Sequence, residues 1–207
     1  MNRMTTLRHR RRLSGPLVIA HRGHSAAAPE NSLEALDRAV ASGADLVECD
    51  VRIAADGVPV VSHDADLQRL AGRAIRVAET PAAVLEAVAS DAGASVLPLA
   101  RLMRAAFGRM PLMLDIKSTD PQVLAAVRDA ALEARFREQD LVLGLRVPDL
   151  VPAAARRLPN AVVLALHGGS ASVDEFLAAG VRLVRLWEVE AGGPQIRALS
   201  ERGCSVW

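Results

Sequence analysis

Two acidic side chains stand two positions apart within residues 46–51, a run that is otherwise apolar. Residues two apart on a β-strand point to the same face, so Glu48 and Asp50 would present both carboxylates to one point. Two close carboxylates repel each other unless a cation or a proton lies between them. The pair therefore predicts a divalent metal site, and ligands that are all oxygen favour Mg²⁺ or Ca²⁺ over Zn²⁺.

Two histidines follow apolar runs on either side of this pair. His21 comes directly after residues 17–20, and His63 follows residues 58–61. Imidazole transfers protons near neutral pH, and a guanidinium such as that of Arg22 binds phosphoryl oxygens. A metal site, two imidazoles and an arginine are together what the hydrolysis of a phosphodiester needs.

A third acidic residue and a lysine follow the apolar residues 112–114. Asp115 and Lys117 are two apart, so they would share one face of a strand, where Asp115 would complete the metal shell. Lys117 is the only lysine in the chain, beside 24 arginines. A compact ammonium near a phosphate or a metal cannot be exchanged for a guanidinium fork, which favours a role for Lys117 at this site.

Short runs rich in Val, Leu and Ile alternate with Ala-rich segments of helical period, which is typical of βα units around a parallel sheet. Strands are predicted at eight runs: residues 17–21, 46–51, 58–63, 111–117, 141–146, 161–167, 182–187 and 204–207. Eight strands suggest an α/β fold of the TIM-type (β/α)8 class, in which functional residues gather at the carboxyl ends of the strands. Between residues 65 and 98 the pattern weakens, which predicts an excursion over the barrel mouth.

The first helix has clear start and stop signals. Asn31 is the candidate N-cap, with Glu34 three residues later as in a capping box, and Gly43 is the candidate end. A residue that caps a helix at a barrel mouth can also contact a ligand.

The dipeptide Asp56-Gly57 suits a tight turn after the first acidic strand. A two-residue hairpin would place Asp50 opposite His63, whereas a strictly parallel barrel would need a short return loop. Either connection keeps His63 close to the acidic pair.

Together, these motifs resemble the signature of the glycerophosphodiester phosphodiesterase family. That signature has His-Arg-Gly, Pro-Glu-Asn, Glu-x-Asp, Asp-Gly and His-Asp in this order. The chain carries them as His21-Arg22-Gly23, Pro29-Glu30-Asn31, Glu48-Cys49-Asp50, Asp56-Gly57 and His63-Asp64, and Leu114-Asp115-Ile116-Lys117 is similar to the third acidic strand of the family. The resemblance extends more loosely through residues 183–207. The TIM-barrel fold of the family agrees with the strand count.

The resemblance implies a phosphoric diester hydrolase that uses one divalent ion. Its substrate would be a small molecule such as glycerophosphocholine, split into glycerol 3-phosphate and an alcohol. By motif, the acid/base pair is His21 and His63, with the role of each unassigned. The metal ligands are Glu48, Asp50 and Asp115, and the phosphoryl oxygens are bound by Arg22 and Lys117.

Two departures from the family pattern affect these expectations. The third acidic position is commonly Glu in this family, and Asp115 is one methylene shorter. This difference predicts that the ion is displaced or is bound more weakly. The chain ends at Trp207, in predicted strand eight, so a barrel truncated after strand 8 is expected. A homodimer that covers the resulting barrel edge is a candidate assembly.

Two other functions are compatible with the same residues. One is a lysophospholipase D-like phosphodiesterase, in which apolar residues within 81–107 line the path of a lipid tail. The other is a truncated, non-catalytic barrel that binds phosphate without turnover. The presence of both His21 and His63 favours catalysis.

Composition limits the remaining classes. The chain has 207 residues, 51% of them hydrophobic, which suits one barrel domain over residues 15–207. Five arginines lie within residues 1–12, so residues 1–14 are predicted to form a basic, disordered tail. The remaining 20 basic residues face 24 acidic ones, which argues against nucleic-acid binding.

The chain also lacks the sequence features of a membrane or disulfide-rich protein. No apolar run reaches the roughly 18 residues of a membrane span, so no stable membrane insertion is expected. Cys49 and Cys204 are the only cysteines, which gives no disulfide framework and favours a cytoplasmic location.

Overall fold

Strands and helices alternate along the described part of the chain, which is residues 17–166, 172–187 and 191–207 of a computed structural model. The strands are β1 (Ile19–Ala20), β2 (Leu46–Ile53), β3 (Pro59–Val61), β4 (Leu97–Pro98), β5 (Leu112–Ile116), β6 (Leu141–Leu145), β7 (Val162–Ala165), β8 (Leu183–Val184) and β9 (Ser205–Val206). The helices are α1 (Leu33–Ala41), α2 (Gln68–Ala71), α3 (Ala82–Asp91), α4 (Leu99–Ala106), α5 (Gln122–Glu133), α6 (Val151–Arg157), α7 (Val173–Ala178) and α8 (Gly193–Glu201). Short 3₁₀ segments lie at Val77–Glu79, Glu138–Asp140 and Pro148–Leu150. The predicted tail, residues 1–14, lies outside the described residues.

Seven of these strands form a parallel series, in which each pairs with the next in the order β1, β2, β5, β6, β7, β8 and β9. One apolar cluster on the inner face includes residues from both ends of the series, Ile19 from β1 and Trp207 after β9. The sheet therefore curves around this cluster, while the larger core joins its outer face to the helices. Each of the eight predicted runs contains a strand, and β4 is additional.

The β2–β3 connection is an antiparallel hairpin, one of the two connections left open by the sequence, and its register differs by one residue from that of a two-residue hairpin. Ser62 lies opposite Asp50 and donates its backbone N–H to the Asp50 carbonyl at 3.0 Å. The two-residue hairpin that would have placed Asp50 opposite His63 therefore does not form. The reason is a loop of three residues, 55–57, in which Gly57 adopts a φ of 79°, as is typical for the last position of such loops.

Helix α1 begins one residue later than the sequence suggested. Its N-cap is Ser32, whose Oγ accepts a hydrogen bond from the backbone of the first turn at 3.0 Å. Glu34 pairs with Arg38 instead of closing a capping box. The prediction of Asn31 as the cap is therefore wrong, because Asn and Ser are both strong cap residues and stand side by side here. The helix ends before Gly43, as predicted, and Gly43 has a φ of 76°.

Side chains alternate between the two faces of the sheet along each strand. On the inner face, they change from apolar to charged towards the carboxyl end of the strand. Leu46 on β2 and Met113 on β5 belong to the inner apolar cluster. Side chains at further steps of two project on the same face, nearer the carboxyl ends of the strands. These side chains are Glu48, Asp50, Asp115 and Lys117. The parallel strands thus deliver their charged residues to one end of the sheet, above an apolar floor.

The chain between β3 and β4 forms a small unit with a core of its own. Buried Leu67, Val77, Leu85 and Val96 pack together there, against Val60 of β3. Helices α2 and α3 belong to this unit, which we call the β3–β4 segment.

Candidate active site

Three carboxylates meet at the carboxyl ends of β2 and β5. Glu48 and Asp50 come from β2, and Asp115 is the direct neighbour of Asp50 in the parallel ladder. One carboxylate oxygen of each residue lies within 4.8 Å of the other two, and all three residues are buried. The period of β2 and the register of β5 therefore suffice to build the predicted triad.

Two cations compensate part of this negative charge. Lys117 Nζ lies 2.8 Å from Asp50 Oδ1 and 2.7 Å from Asp115 Oδ2. Arg146, directly after β6, donates Nε to Asp115 Oδ1 at 2.9 Å and Nη2 to Asp115 Oδ2 at 2.6 Å. Burial acts to raise the pKa of Asp115, but the hydrogen bonds from Arg146 and Lys117 outweigh it and lower the pKa below its usual value.

Glu48 is the least compensated member of the triad. Burial, followed by repulsion from Asp50, raises the pKa of Glu48 to about 8, although the backbone N–H of Arg22 donates to its Oε2 at 2.8 Å. A buried group of this kind gains from a bound cation, because the cation replaces the lost hydration of the carboxylate. Three converging oxygen donors, one of them weakly compensated, fit a hard divalent ion such as Mg²⁺ or Ca²⁺.

The first predicted histidine reaches the triad from the end of β1. His21 is exposed, and its Nε2 lies 3.8 Å from Glu48 Oε2. Partial burial and the neighbouring charge of Arg22 lower the pKa of His21, and the charge of His63 contributes in the same direction. The two imidazoles therefore lie within electrostatic reach of each other.

The second predicted histidine is held by its neighbour in sequence. His63 Nδ1 lies 2.7 Å from Asp64 Oδ1, a distance at which the ring donates Nδ1–H to the carboxylate. The neutral ring then carries its free lone pair on Nε2. The backbone carbonyl of His63 accepts hydrogen bonds from Arg52 at 3.0 and 2.9 Å, which fixes the chain at this point.

Arg22 occupies a constrained position between the loop and the triad. Its φ is 55°, a left-handed conformation that is uncommon for a residue other than glycine. The Nε atom lies 3.3 Å from Asp50 Oδ2, and Nη1 donates to Glu30 Oε2 at 3.1 Å. Its Nε is buried without a hydrogen-bond partner of good geometry among the described residues. A donor in this state can turn to a phosphoryl oxygen at little cost.

Asn31, expected as a helix cap, is part of the site instead. Its Nδ2 donates to Asp50 Oδ2 at 3.0 Å, and its backbone N–H donates to the Arg22 carbonyl at 2.9 Å. The residue is buried and has a φ of 57°. Asn31 thus orients the central carboxylate, while leaving the cap to Ser32.

Arg69 of α2 was also missed, although it links both histidine loops. It donates Nη2 to Glu30 Oε1 at 2.6 Å and Nε to Asp64 Oδ2 at 2.6 Å. Glu30 holds Arg22, and Asp64 holds His63, so Arg69 connects their positions. Among 24 arginines, nothing in the sequence distinguishes Arg69, whereas the position of Arg146 at a strand end was a usable signal.

All seven predicted site residues lie at the same end of the sheet. Direct contacts join six of them: His21, Arg22, Glu48, Asp50, Asp115 and Lys117. His63 is connected through the chain of Asp64, Arg69, Glu30 and Arg22.

Comparison with known proteins agrees with this geometry. Residues 21–101 match the model of the "Glycerophosphoryl diester phosphodiesterase family", a range that contains the two histidines, Arg22 and two of the three carboxylates. Over this range, the chain is similar to the glycerophosphodiester phosphodiesterase family. The resemblance inferred from its motifs is thereby confirmed.

Named relatives match short segments of this chain. The "Probable glycerophosphodiester phosphodiesterase 1" of Mycobacterium tuberculosis is 57% identical over 54 residues, which are 26% of this chain and 20% of that protein. A lysophospholipase D of Mus musculus is 47% identical over 55 residues, 27% of this chain and 17% of the relative. The chain thus aligns with about a fifth of the length of the curated relatives it matches.

Solved structures agree over nearly the whole chain. A phosphodiesterase of Oleispira antarctica, determined with the product sn-glycerol-3-phosphate, has a TM-score of 0.78 and 23% identity, over 92% of this chain and 83% of that one. This likeness confirms the predicted TIM-type barrel class. Within the described ranges, every helix is too short or too polar to cross a membrane.

Proposed function

We propose that this protein hydrolyses glycerophosphodiesters to glycerol 3-phosphate and an alcohol, with the help of a divalent cation. The observation that carries the proposal is the buried triad of Glu48, Asp50 and Asp115, with His21 and cationic side chains at its edge. The family match and the product-bound structural neighbour support the substrate class.

The triad would hold one divalent ion, Mg²⁺ or Ca²⁺. When bound, such an ion polarises a phosphoryl oxygen and offsets the negative charge that develops during attack. Asn31 keeps Asp50 oriented through its 3.0 Å hydrogen bond, and Lys117 keeps Asp50 and Asp115 together. These contacts pre-position the oxygen ligands.

The histidines would move the two protons of the reaction. Hydrolysis forms a bond from water oxygen to phosphorus and breaks the bond from phosphorus to the alcohol oxygen. One histidine takes a proton from the water, and the other gives a proton to the departing alcohol. Asp64 supports this exchange, because it fixes the His63 ring with Nε2 available for the proton.

Arg22 and Lys117 would bind the nonbridging phosphoryl oxygens. Both already lie against Asp50, within 3.3 Å and 2.8 Å respectively, so a phosphate next to the triad comes within their reach. Positive charge at this position lowers the energy of the transition state more than that of the substrate.

The test is release of glycerol 3-phosphate from glycerophosphocholine by the purified protein. We expect no release in EDTA and recovery with Mg²⁺ or Ca²⁺. His63→Ala should reduce turnover by roughly 10²- to 10⁴-fold, the usual contribution of acid/base catalysis. His24→Ala is the matched control, because His24 contacts Ser42, directly after the end of α1, at 3.2 Å. A His63→Ala variant of full activity would contradict the proposed mechanism.

The match to the mouse lysophospholipase D favours a second candidate, the same diester chemistry on a lysolipid. Activity on detergent-dispersed lysophosphatidylcholine above that on glycerophosphocholine would support this candidate. Binding of a divalent ion by a folded sample that hydrolyses neither diester would support a non-catalytic barrel instead.

A further inference from the structure

Arg185 is a charged residue of the barrel mouth that the proposed chemistry does not use. It directly follows β8, and its backbone N–H donates to the Ala165 carbonyl of β7 at 3.0 Å. Leu183, two residues earlier, belongs to the inner apolar cluster. The alternation along the strand therefore turns Arg185 into the barrel, three strands beyond β5 in the strand order.

The Arg185 guanidinium has hydrogen-bonding capacity to spare. Its Nε and Nη2 atoms are buried and have no hydrogen-bond partner in the described part of the chain. Buried donors without an acceptor cost free energy, so such a group is typical of a place that a ligand completes. The guanidinium carbon lies 4.1 Å from the centroid of the Trp187 ring, and this stacking holds the group in place.

A second guanidinium lies on the same side of the mouth. Arg146 uses Nε and Nη2 on Asp115, which leaves Nη1 outside that pair, and its side chain is 39% exposed. Burial, followed by repulsion from Arg146, lowers the pKa of Arg185, although the charges of Asp115 and Glu48 act in the opposite direction. Two like charges held within reach of each other favour an anion between them.

The chemical class of this anion follows from the charged groups that already line the barrel mouth. The scissile phosphate is served on the β1, β2 and β5 side by the triad, Arg22 and Lys117. A choline group would be repelled by Arg185, and this arginine also covers a face of Trp187. A second negative group, in the alcohol half of the diester, suits the remaining side of the mouth.

We propose that Arg185, with Arg146 beside it, forms an anion subsite that binds a carboxylate or phosphate on the alcohol half of a glycerophosphodiester. This inference rests on the proposed function. It makes Arg185 a substrate-binding residue that selects anionic head groups.

The test compares glycerophosphoserine with glycerophosphoethanolamine, whose alcohols differ by one carboxylate, at saturating Mg²⁺ or Ca²⁺. For the unmodified protein, we expect kcat/KM to favour the serine diester by about tenfold, the size of one charge-assisted hydrogen bond. Arg185→Gln should bring this ratio close to one, and Arg185→Lys should reduce it partway, since an ammonium lacks the guanidinium fork. Arg157→Gln, at an exposed position on α6, should leave the ratio unchanged. Circular dichroism checks that each variant is folded.

Two results would overturn the subsite. One is equal kcat/KM for both diesters in the unmodified protein. The other is a ratio that neither Arg185 variant changes, because the arginine would then serve the scissile phosphate or the fold alone.

Failure of the proposed function would be recognised separately, as absence of turnover on both diesters. The subsite is then judged by binding of inorganic phosphate in EDTA. Phosphate should raise the thermal midpoint of the unmodified protein more than that of Arg185→Gln, and equal shifts would overturn the proposal.

Discussion

Glu48 connects the chemistry of single residues with the stability of the protein. Its pKa of about 8, raised mainly by burial, lies far above the ordinary value of 4.5. Between pH 4.5 and about pH 8, Glu48 of the folded metal-free protein keeps a proton that Glu48 of the unfolded chain has released. The contribution of Glu48 to stability is therefore fully present below pH 4.5 and is lost as the pH rises towards 8.

Glu48→Gln should remove this pH dependence. In EDTA, we expect the variant to exceed the unmodified protein in stability at pH 8 by a few kcal/mol at most, since one pKa unit corresponds to about 1.4 kcal/mol. The difference should shrink as the pH falls towards 5. Urea denaturation at several pH values measures it, and added Mg²⁺ or Ca²⁺ should stabilise the unmodified protein more than the variant. A constant difference between the two proteins across this range would argue that Glu48 is ionised when buried.

Both carboxylate oxygens of Asp115 already accept hydrogen bonds at the cation site. Arg146 and Lys117 hold it at 2.6 to 2.9 Å. Arg146 therefore competes with a bound ion, both for the carboxylate and through repulsion of like charge.

Arg146→Gln is thus expected to tighten the binding of Mg²⁺ or Ca²⁺, by about tenfold if roughly 1.4 kcal/mol of repulsion is removed. Isothermal titration calorimetry on the metal-free protein measures this, with the exposed Arg157→Gln as the control. Weaker binding by Arg146→Gln would show that Arg146 orients Asp115 for the ion instead of opposing it.

At the scale of elements, the loop after β1 depends on contact with α1. Gly23 has a φ of 76°, and a Cβ at this residue would lie 2.7 Å from Ala35 Cβ and 2.8 Å from the Ala35 carbonyl carbon. The next residue, His24, donates its backbone N–H to the Ala35 carbonyl at 2.9 Å. Only glycine allows this approach, which keeps His21 and Arg22 at the triad.

Gly23→Ala should therefore impair both stability and turnover. A residue other than glycine in the left-handed region costs about 1–2 kcal/mol, and the clash with Ala35 adds to this cost. Gly43→Ala is the matched control, since Gly43 has the same φ of 76°, but a Cβ there would have no atom of the described residues within 4 Å. Urea denaturation and glycerophosphocholine turnover separate the two effects. Equal behaviour of the two variants would mean that strain alone, and not the contact, matters.

The elements differ in how far the sequence predicts them. The strands were found because their apolar runs are interrupted by turn signals, and Glu48, Asp50 and Asp115 were found because the period of two places them at strand ends. The hairpin register was missed because two- and three-residue loops accept the same Asp-Gly pair. Asn31 was misplaced because its partner, Asp50, is distant in sequence. Arg69 was missed because its contacts arise only from tertiary packing, whereas the position of Arg185 directly after β8 was a usable signal.

At the scale of the whole molecule, the β3–β4 segment is bound to the barrel mouth by charged contacts. Arg69 of α2 reaches Glu30 in the loop after β1 and Asp64 after β3. Its side chain is half exposed, and exposed ion pairs contribute about 0–1 kcal/mol to stability. The value of this contact therefore lies in the positions of Arg22 and His63, which Glu30 and Asp64 hold.

Arg69→Gln should show whether Arg69 positions the catalytic groups or stabilises the fold. We expect the free energy of unfolding to change by less than about 1 kcal/mol, while kcat/KM for glycerophosphocholine falls by about tenfold, as expected when a catalytic group loses its orientation. Arg69→Lys should restore part of the activity, because its ammonium still pairs with one of the two carboxylates. The exposed Arg73→Gln, four residues further along the segment, is the control. A pH–rate profile is the deciding measurement: a limb that shifts in Arg69→Gln but not in Arg73→Gln locates the effect at the His63–Asp64 pair, whereas profiles of identical shape would place Arg69 outside the proton transfer.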